Sequence, residues 1–381
     1  MKRKICVVVA SRANYGRIKS VLNAIKNSNK LELQLVVSAS ALLNKYGEVY
    51  KIIEKDGFEI TRKAYYILEG ENHIAMAKST GLGVIELSSI FDDIKPDMVL
   101  TVADRYETLA TAIASTYMNI PLIHTQGGEV TGSIDESVRH AITKLAHLHF
   151  PATENSLQRL IKMGEDPNFI FNEGCPAMDY LMNINYSNIL KNLNFKGVGY
   201  NIDLNKEYIL LVQHPVTTEY NLELNNIKVI INAINKLDKQ VLWLWPNVDA
   251  GSDLISKEIR TARELGKLGK VYFAKNFEIE EYASLMNNAS VLVGNSSSFI
   301  REGSFLGIPA VLVGNRQKNR ERGKNVIEVG FDEEQIIKNI NFQIDHGKYS
   351  PERIFGDGNA GLKIVNVIEN FEFKLQKEMT Y

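Results

Sequence analysis

Residues 124 to 147 read HTQGGEVTGSIDESVRHAITKLAH and crowd His124, Glu129, Asp135, Glu136, Arg139 and His140 around a Gly127-Gly128 pair. Carboxylates beside glycines, where backbone can approach a ligand closely, are suited to taking and returning protons. A plainer reading competes for some of them. Ser133 with Glu136 three residues later spells a capping box, and Ile134, Val138, Ala141, Ile142 and Leu145 form an apolar stripe at helical spacing. Glu136, His140, Lys144 and His147 then fall on a salt-bridged, solvated face. His124, Glu129, Asp135 and Arg139 are what that reading leaves for chemistry.

Other charged groups also sit just after apolar runs. VADRYETLA (102–110) sets Asp104 and Arg105 there, either to act on a ligand or with Asp104 capping the next helix and Glu107 three residues on. SRANYGR (11–17) places Arg12 and the N–H groups of a helix start where an anion is stabilised, with Ser11 or Asn14 as a plain cap in the competing view. It lacks the GxGxxG of a dinucleotide site. Further on, LVQHPVTTE (211–219) presents His214 and WPNVDAGSD (245–253) presents Asn247. GNSSSFIREGSFLGIP (294–309) offers Ser296 and Ser297 as donors to a pyrophosphate and Glu302 as an acceptor for ribose hydroxyls. Arg316, in the basic GNRQKNRERGKN (314–325), follows a strand and reaches toward the same phosphates.

These motifs need elements to hold them, and the apolar pattern supplies βαβ units. ICVVVA, LQLVVSA, DMVLTVA, PLIHT and HFPAT alternate with helical stretches at 14–28, 41–55, 105–118, 134–148 and 154–163. The alternation lapses near 173–205. It resumes with YILLVQ, VLWLWP, KVYFA, SVLVG and PAVLVG, and helices at 223–236, 252–265, 279–287, 297–306 and 332–340. The class expected is α/β, two doubly wound parallel sheets covered by helices, with ligands at the carboxyl ends of the strands. Residues 1–175 make the first Rossmann-like domain, 176–205 a linker and 206–359 the second, with a final helix at 360–381 returning to the first.

Composition excludes several classes. The 44 basic and 45 acidic side chains of the 381-residue chain nearly cancel, which gives no bulk attraction to nucleic acid or to an anionic membrane. Cys6 and Cys175 stand alone, with neither a disulfide framework nor a metal-ligand spacing, and fit a reducing compartment. After MKRK the apolar run lasts only about six residues, too short for a signal peptide or a membrane span. A cytoplasmic protein without metal is expected.

SRANYG, ADRYE, GGEVTGSIDESVRHAITKLAH, QHPVTT, PNVDAGS, GNSSSFIRE, NRQKNRERGKNV and FGDGNA, in this order, resemble the hydrolysing UDP-N-acetylglucosamine 2-epimerases. The resemblance implies a GT-B-like fold with the nucleotide in an interdomain cleft, and conversion of UDP-GlcNAc and water to ManNAc and UDP without a metal or redox cofactor. It implies that Arg12, Arg105, His214, Asn247, Ser296, Ser297, Glu302 and Arg316 bind UDP, and that Asp104 and Asp135 serve the chemistry. Where the family often has a glutamate this chain has Gln126, which cannot take a proton, so the second acid/base role moves to Glu129 or Glu136. The His-Gly that often precedes the family's Asp-Arg is Val102-Ala103 here. A homodimer or homotetramer is implied. The alternatives are the same reaction on UDP-N,N′-diacetylbacillosamine or GDP-GlcNAc, a glycosyltransferase, and a non-catalytic nucleotide-sugar sensor.

Overall fold

A computed structural model describes residues 2–70, 72–131, 133–186, 197–216, 222–246, 252–275 and 277–380. The chain divides into two compact units. The first comprises Met1–Glu129, Ile134–Met182 and Phe355–Tyr381, the second Val130–Ser133 and Asn183–Ile354.

The first unit is built on β1 (Arg3–Val9), β2 (Leu31–Ser38), β3 (Arg62–Ala64), β4 (Met98–Val102), β5 (Leu122–Thr125) and β6 (Leu148–Phe150), all parallel, in the order β3-β2-β1-β4-β5-β6. With helices on both faces, the strands read as unbroken apolar runs rather than alternating ones, and β4 is buried at every position. The helices are α1 (Arg12–Asn27), α2 (Val49–Lys55), α3 (His73–Ile94), α4 (Tyr106–Tyr117), α5 (Asp135–Leu145) and α6 (Glu154–Lys162). Ser11 caps α1 by accepting from the Asn14 N–H at 3.2 Å. Neither β3 nor α3 is anticipated from the sequence. In α3, residues 75, 79, 83, 87, 90 and 94 form a buried stripe, but exposed Ile74, Leu82 and Ile85 on other faces blur its period.

The second unit contains β7 (Gly197–Gly199), β8 (Tyr208–Val212), β9 (Gln240–Leu244), β10 (Val271–Ala274), β11 (Val291–Gly294), β12 (Ala310–Val313) and β13 (Val326–Val329), in the order β13-β12-β11-β8-β9-β10-β7. Only β7 runs antiparallel among these strands, pairing Gly199 with Tyr272 at the edge. It lies within the stretch expected to be linker. Helices α7 (Glu223–Leu237), α8 (Ser252–Glu264), α9 (Ile279–Asn288), α10 (Arg301–Leu306) and α11 (Glu333–His346) cover the sheet. Trp243 and Phe273 stack inside it with ring centroids 5.8 Å apart.

Setting β7 aside, both sheets are wound alike. Three strands progress to one edge, the chain returns to the middle, and three progress to the other, as expected of an α/β chain of GT-B-like, twofold Rossmann construction. The reversal falls between β1 and β4 in one unit and between β8 and β11 in the other. Adjacent strands there send their following helices to opposite faces, and their carboxyl ends part to leave room for a ligand.

A last helix, α12 (Ala360–Asn370), closes the first unit. The carboxylate of Asp179 accepts from the N–H groups of Ala360 and Gly361 at 2.9 and 2.7 Å, capping the helix from a distant part of the chain. It stops at Asn370 rather than reaching 381. Phe371 packs edge-on against Phe169 and Phe171, centroids 5.2 and 5.8 Å away, and its backbone is extended, so burial of that ring takes the chain out of the helix.

At the exit of β11, Gly294 has φ +123°, and a Cβ there would lie 2.2 Å from the Val212 carbonyl oxygen. Gly294→Ala is therefore expected to destabilise the protein by about 3 kcal/mol or more in urea unfolding. Gly330→Ala, at an open site with no atom within 4 Å, should stay within about 0.5 kcal/mol of wild type.

Candidate active site

At the reversal point of the first unit, the ends of β1 and β4 are tied by one buried side chain. Asn14 accepts from the Ala10 N–H at 3.3 Å and donates to the Val102 carbonyl at 3.5 Å. Arg12 begins α1 beside it. The chain leaves β4 through Ala103 and β5 through Gln126, both in the left-handed region at φ +64° and +62°. Such backbone costs about 1 kcal/mol or more at a residue with a Cβ and collects at functional sites. Asp104 and Glu129 thus stand just beyond the ends of neighbouring strands.

Arg139 joins them. Its guanidinium, 1% exposed, forms an ion pair with the Asp104 carboxylate and donates to the Glu129 carbonyl at 2.7 Å. Asp104 therefore does not cap α4. Arg105 holds the N-cap position, its side chain bonded at 3.1 Å to the wholly buried Glu107. The capping box expected at Ser133 is not formed either: α5 starts at Asp135 after Ile134, with no side-chain cap. Asp135 and Arg139, four residues apart, share one face of α5, while Glu136 points to His140 at 3.8 Å on another. That second face is not simply solvated, since Lys144 bonds the buried Glu165 and His147 meets the Leu375 carbonyl.

His124 lies beneath the turn. Its Nε2 donates to the Ala103 carbonyl at 2.8 Å, which leaves Nδ1 to accept from the Thr143 hydroxyl at 3.3 Å. Both ring nitrogens are engaged, and burial drives the pKa down to about 3, so the ring is neutral at ordinary pH. This removes it from the groups expected to exchange protons with a ligand. A Cβ at Gly127 would come within 3.0 Å of that ring, and one at Gly128 within 2.3 Å of the Ser156 carbonyl oxygen. The glycine pair is thus needed for close packing of the turn, which Arg159 also holds by donating to the Gly128 carbonyl at 2.7 Å. Gln126 is 1% exposed, and among the described residues neither its amide oxygen nor its nitrogen has a partner. An amide in that state is suited to a ligand offering both a donor and an acceptor.

The second unit repeats the device at its own reversal point. Asn295 accepts from the His214 N–H and donates to the His214 carbonyl, both at 2.7 Å, tying the ends of β8 and β11. The Asn295 carbonyl in turn accepts from Gln317 at 2.9 Å and Arg316 at 3.4 Å, and Arg320 donates to the Gln317 amide oxygen at 2.7 Å. His214, Ser296 and Arg316 are brought together in this way. Ser296 caps a single 3-10 turn, Ser297–Phe299, rather than a long helix, and Glu302 follows in the six-residue α10. The Ser296 and Ser298 hydroxyls are 2.8 Å apart, and that of Ser298 also meets the Tyr282 hydroxyl at 2.7 Å. Asn247 lies outside the described residues. Asn295 and Gln317 escape the sequence reading, and Asn14 enters it only as a cap, because nothing in their spacing distinguishes a strand-tying amide from a turn residue.

With this geometry in hand, similarity to known proteins is informative. The family model for UDP-N-acetylglucosamine 2-epimerase matches residues 23–369. The chain is 34% identical over 376 residues to the UDP-N,N′-diacetylbacillosamine 2-epimerase (hydrolyzing) of Legionella pneumophila, covering 99% of this chain and 98% of that protein. It is 30% identical over 383 residues to the UDP-N-acetylglucosamine 2-epimerase of Neisseria meningitidis, with the same two coverages. The crystal structure of the UDP-GlcNAc 2-epimerase of Methanocaldococcus jannaschii in complex with UDP-GlcNAc and UDP shares the fold, with a TM-score of 0.81 at 20% identity over 96% of this chain and 99% of that one. Matched along most of its length by the family model and at near-full coverage by these relatives, the chain belongs to the UDP-N-acetylglucosamine 2-epimerase family.

Proposed function

We propose that the protein is a hydrolysing 2-epimerase of a UDP-linked 2-acetamido sugar. The observation that carries this reading is the buried Arg139 gathering Asp104 and the Glu129 backbone at the strand ends of the first unit. The C2 proton of such a sugar is weakly acidic, because no carbonyl adjoins it. It becomes removable as the C1–O bond breaks, UDP leaves with the electron pair and C1 gains oxocarbenium character. In this reading the second unit's His214, Ser296, Ser297, Glu302 and Arg316 hold the nucleotide and stabilise the charge of the departing diphosphate.

Asp104, paired with Arg139, then accepts the C2 proton to give a 2-acetamidoglucal. Glu129, in its protonated form, gives that proton to the opposite face of C2 as water adds its oxygen to C1, and the proton lost by the water passes to the Glu129 carboxylate. Asp135 lines the same face of α5 as Arg139 and orients the water or the sugar. Glu136, half-exposed and turned to His140, is the weaker choice for the second acid/base group. His124 and the glycine pair hold the turn in shape.

UDP-N,N′-diacetylbacillosamine takes precedence over UDP-GlcNAc as the donor. The relative named for it shares 34% of residues with this chain, against 30% for the Neisseria protein, and the Gln126 amide, with no partner among the described residues, suits a second acetamido group. The UDP-GlcNAc reading survives if only that donor turns over.

Incubated in D2O with each donor, the enzyme should release free UDP and a 2-epimerised sugar carrying deuterium at C2. A UDP-linked epimer at equilibrium would point to a non-hydrolysing reaction, and turnover only with an added acceptor to a transferase. Asp104→Asn should lower kcat by about 10²- to 10⁴-fold while UDP binding by calorimetry persists. Unchanged turnover would remove Asp104 from the chemistry. Stability should fall between pH 7 and pH 5, because the unfolded chain protonates His124 near pH 6.5 whereas the folded chain does not until about pH 3. The loss from this residue amounts to about 2 kcal/mol over that interval, and His124→Gln should show a correspondingly shallower slope in urea midpoints against pH.

A further inference from the structure

Beyond α12 the chain crosses the first unit again and ends against α5. The Lys377 ammonium donates to three acceptors there: the Thr143 and Lys144 carbonyls, both at 3.0 Å, and the Glu165 carboxylate at 2.5 Å. Glu165 is 1% exposed and is also held by Lys144 at 2.6 Å and His149 at 2.9 Å. Contacts on both sides fix the segment in register. His147 accepts from the Leu122 N–H through Nδ1 at 3.2 Å, so its Nε2 donates to the Leu375 carbonyl at 3.1 Å, and the Thr380 N–H donates to the Gly164 carbonyl at 3.1 Å. Phe371 anchors the start of the run against Phe169 and Phe171.

What Lys377 grips bears directly on the site. Residues 135, 139 and 143 lie one turn apart on a single face of α5. Thr143 offers its carbonyl to Lys377 and its hydroxyl to His124. Arg139, one turn earlier, binds Asp104 and the Glu129 carbonyl. The start of this 11-residue helix has no side-chain cap, and Lys377 holds its other end. A cation also complements the negative end of the helix dipole there. A second link runs through the sheet, where Glu165 binds His149, the ladder partner of His124.

We propose that residues 371–380 form a clamp that sets the position of α5, with Lys377 a positioning residue acting through Arg139 on Asp104 and Glu129. This rests on the reading of those two carboxylates as the acid/base pair. A reacting group displaced by about 1 Å can lose about 10²-fold in rate, so a loosened helix should lower kcat more than substrate affinity.

The experiment uses the full chain with Lys377→Met, Lys377→Gln and Lys377→Arg, assayed well below each variant's Tm. Lys377→Met should lower kcat by roughly 10- to 100-fold with KM within about twofold of wild type, Lys377→Arg should restore most of it, and amide exchange across 126–145 and 103–110 should quicken in the Met variant. If Lys377→Met does not fold, Lys377→Gln, which keeps a shorter polar side chain, carries the same expectations. Wild-type kcat with only a lowered Tm, or equal losses in Met and Arg variants, would overturn the clamp. If wild-type enzyme turns over neither donor, the functional reading has failed. The clamp is then judged on amide exchange alone, and unchanged exchange at 126–145 overturns it.

Discussion

A parallel strand must be followed by a crossover, and crossovers of one hand oblige the chain to change faces whenever it reverses its progress through the sheet. That constraint shapes both units. At each reversal two neighbouring strands send their chains to opposite faces, and the gap between their ends needs a polar tie that leaves the mouth open. Asn14 provides it between β1 and β4, and Asn295 between β8 and β11. An amide suits the task because it donates and accepts at once and so satisfies backbone groups of both strands. The candidate functional groups of each unit are arranged about these ties.

Within the first unit, burial of charge is the second organising fact. Arg139 and Glu107 are almost wholly enclosed, and Asp104 nearly so. Buried ions are tolerated when their partners are placed well, and removing one partner of such a pair typically costs about 3–5 kcal/mol. This gives the neighbourhood of the turn little freedom to rearrange. The left-handed backbone at Ala103 and Gln126 belongs to the same pattern, with local strain held in place by ladder bonds from Ala103 to Thr125 and from Gln126 to Phe150.

The legible parts of the protein are those whose signals are local. β1, β4, β8 and β11 announce themselves as apolar runs, and the motifs carrying chemistry follow them because parallel sheets present ligands at strand ends. The less legible parts have composite or distant causes. The stripe of α3 is diluted by exposed isoleucines, the expected box at Ser133 gives way to a helix beginning two residues later, and α12 stops where Phe371 packs on rings some two hundred positions earlier. Gln126 was visible as a departure from the family's carboxylate. That its amide is buried with no partner among the described residues was not.

By itself the sequence determined the α/β class, the twofold Rossmann construction and the family, since periodicity and motif order are written along the chain. It also singled out Asp104, Glu129 and Arg139 as separate candidates. Only tertiary structure decided that Arg139 joins the other two, that His124 is a neutral buried support and that Lys377 seals the far end of α5. The physical reason is that an ion pair or a hydrogen bond depends on distance and desolvation. Both are set when strands far apart in sequence become neighbours, and neither can be read from spacing alone.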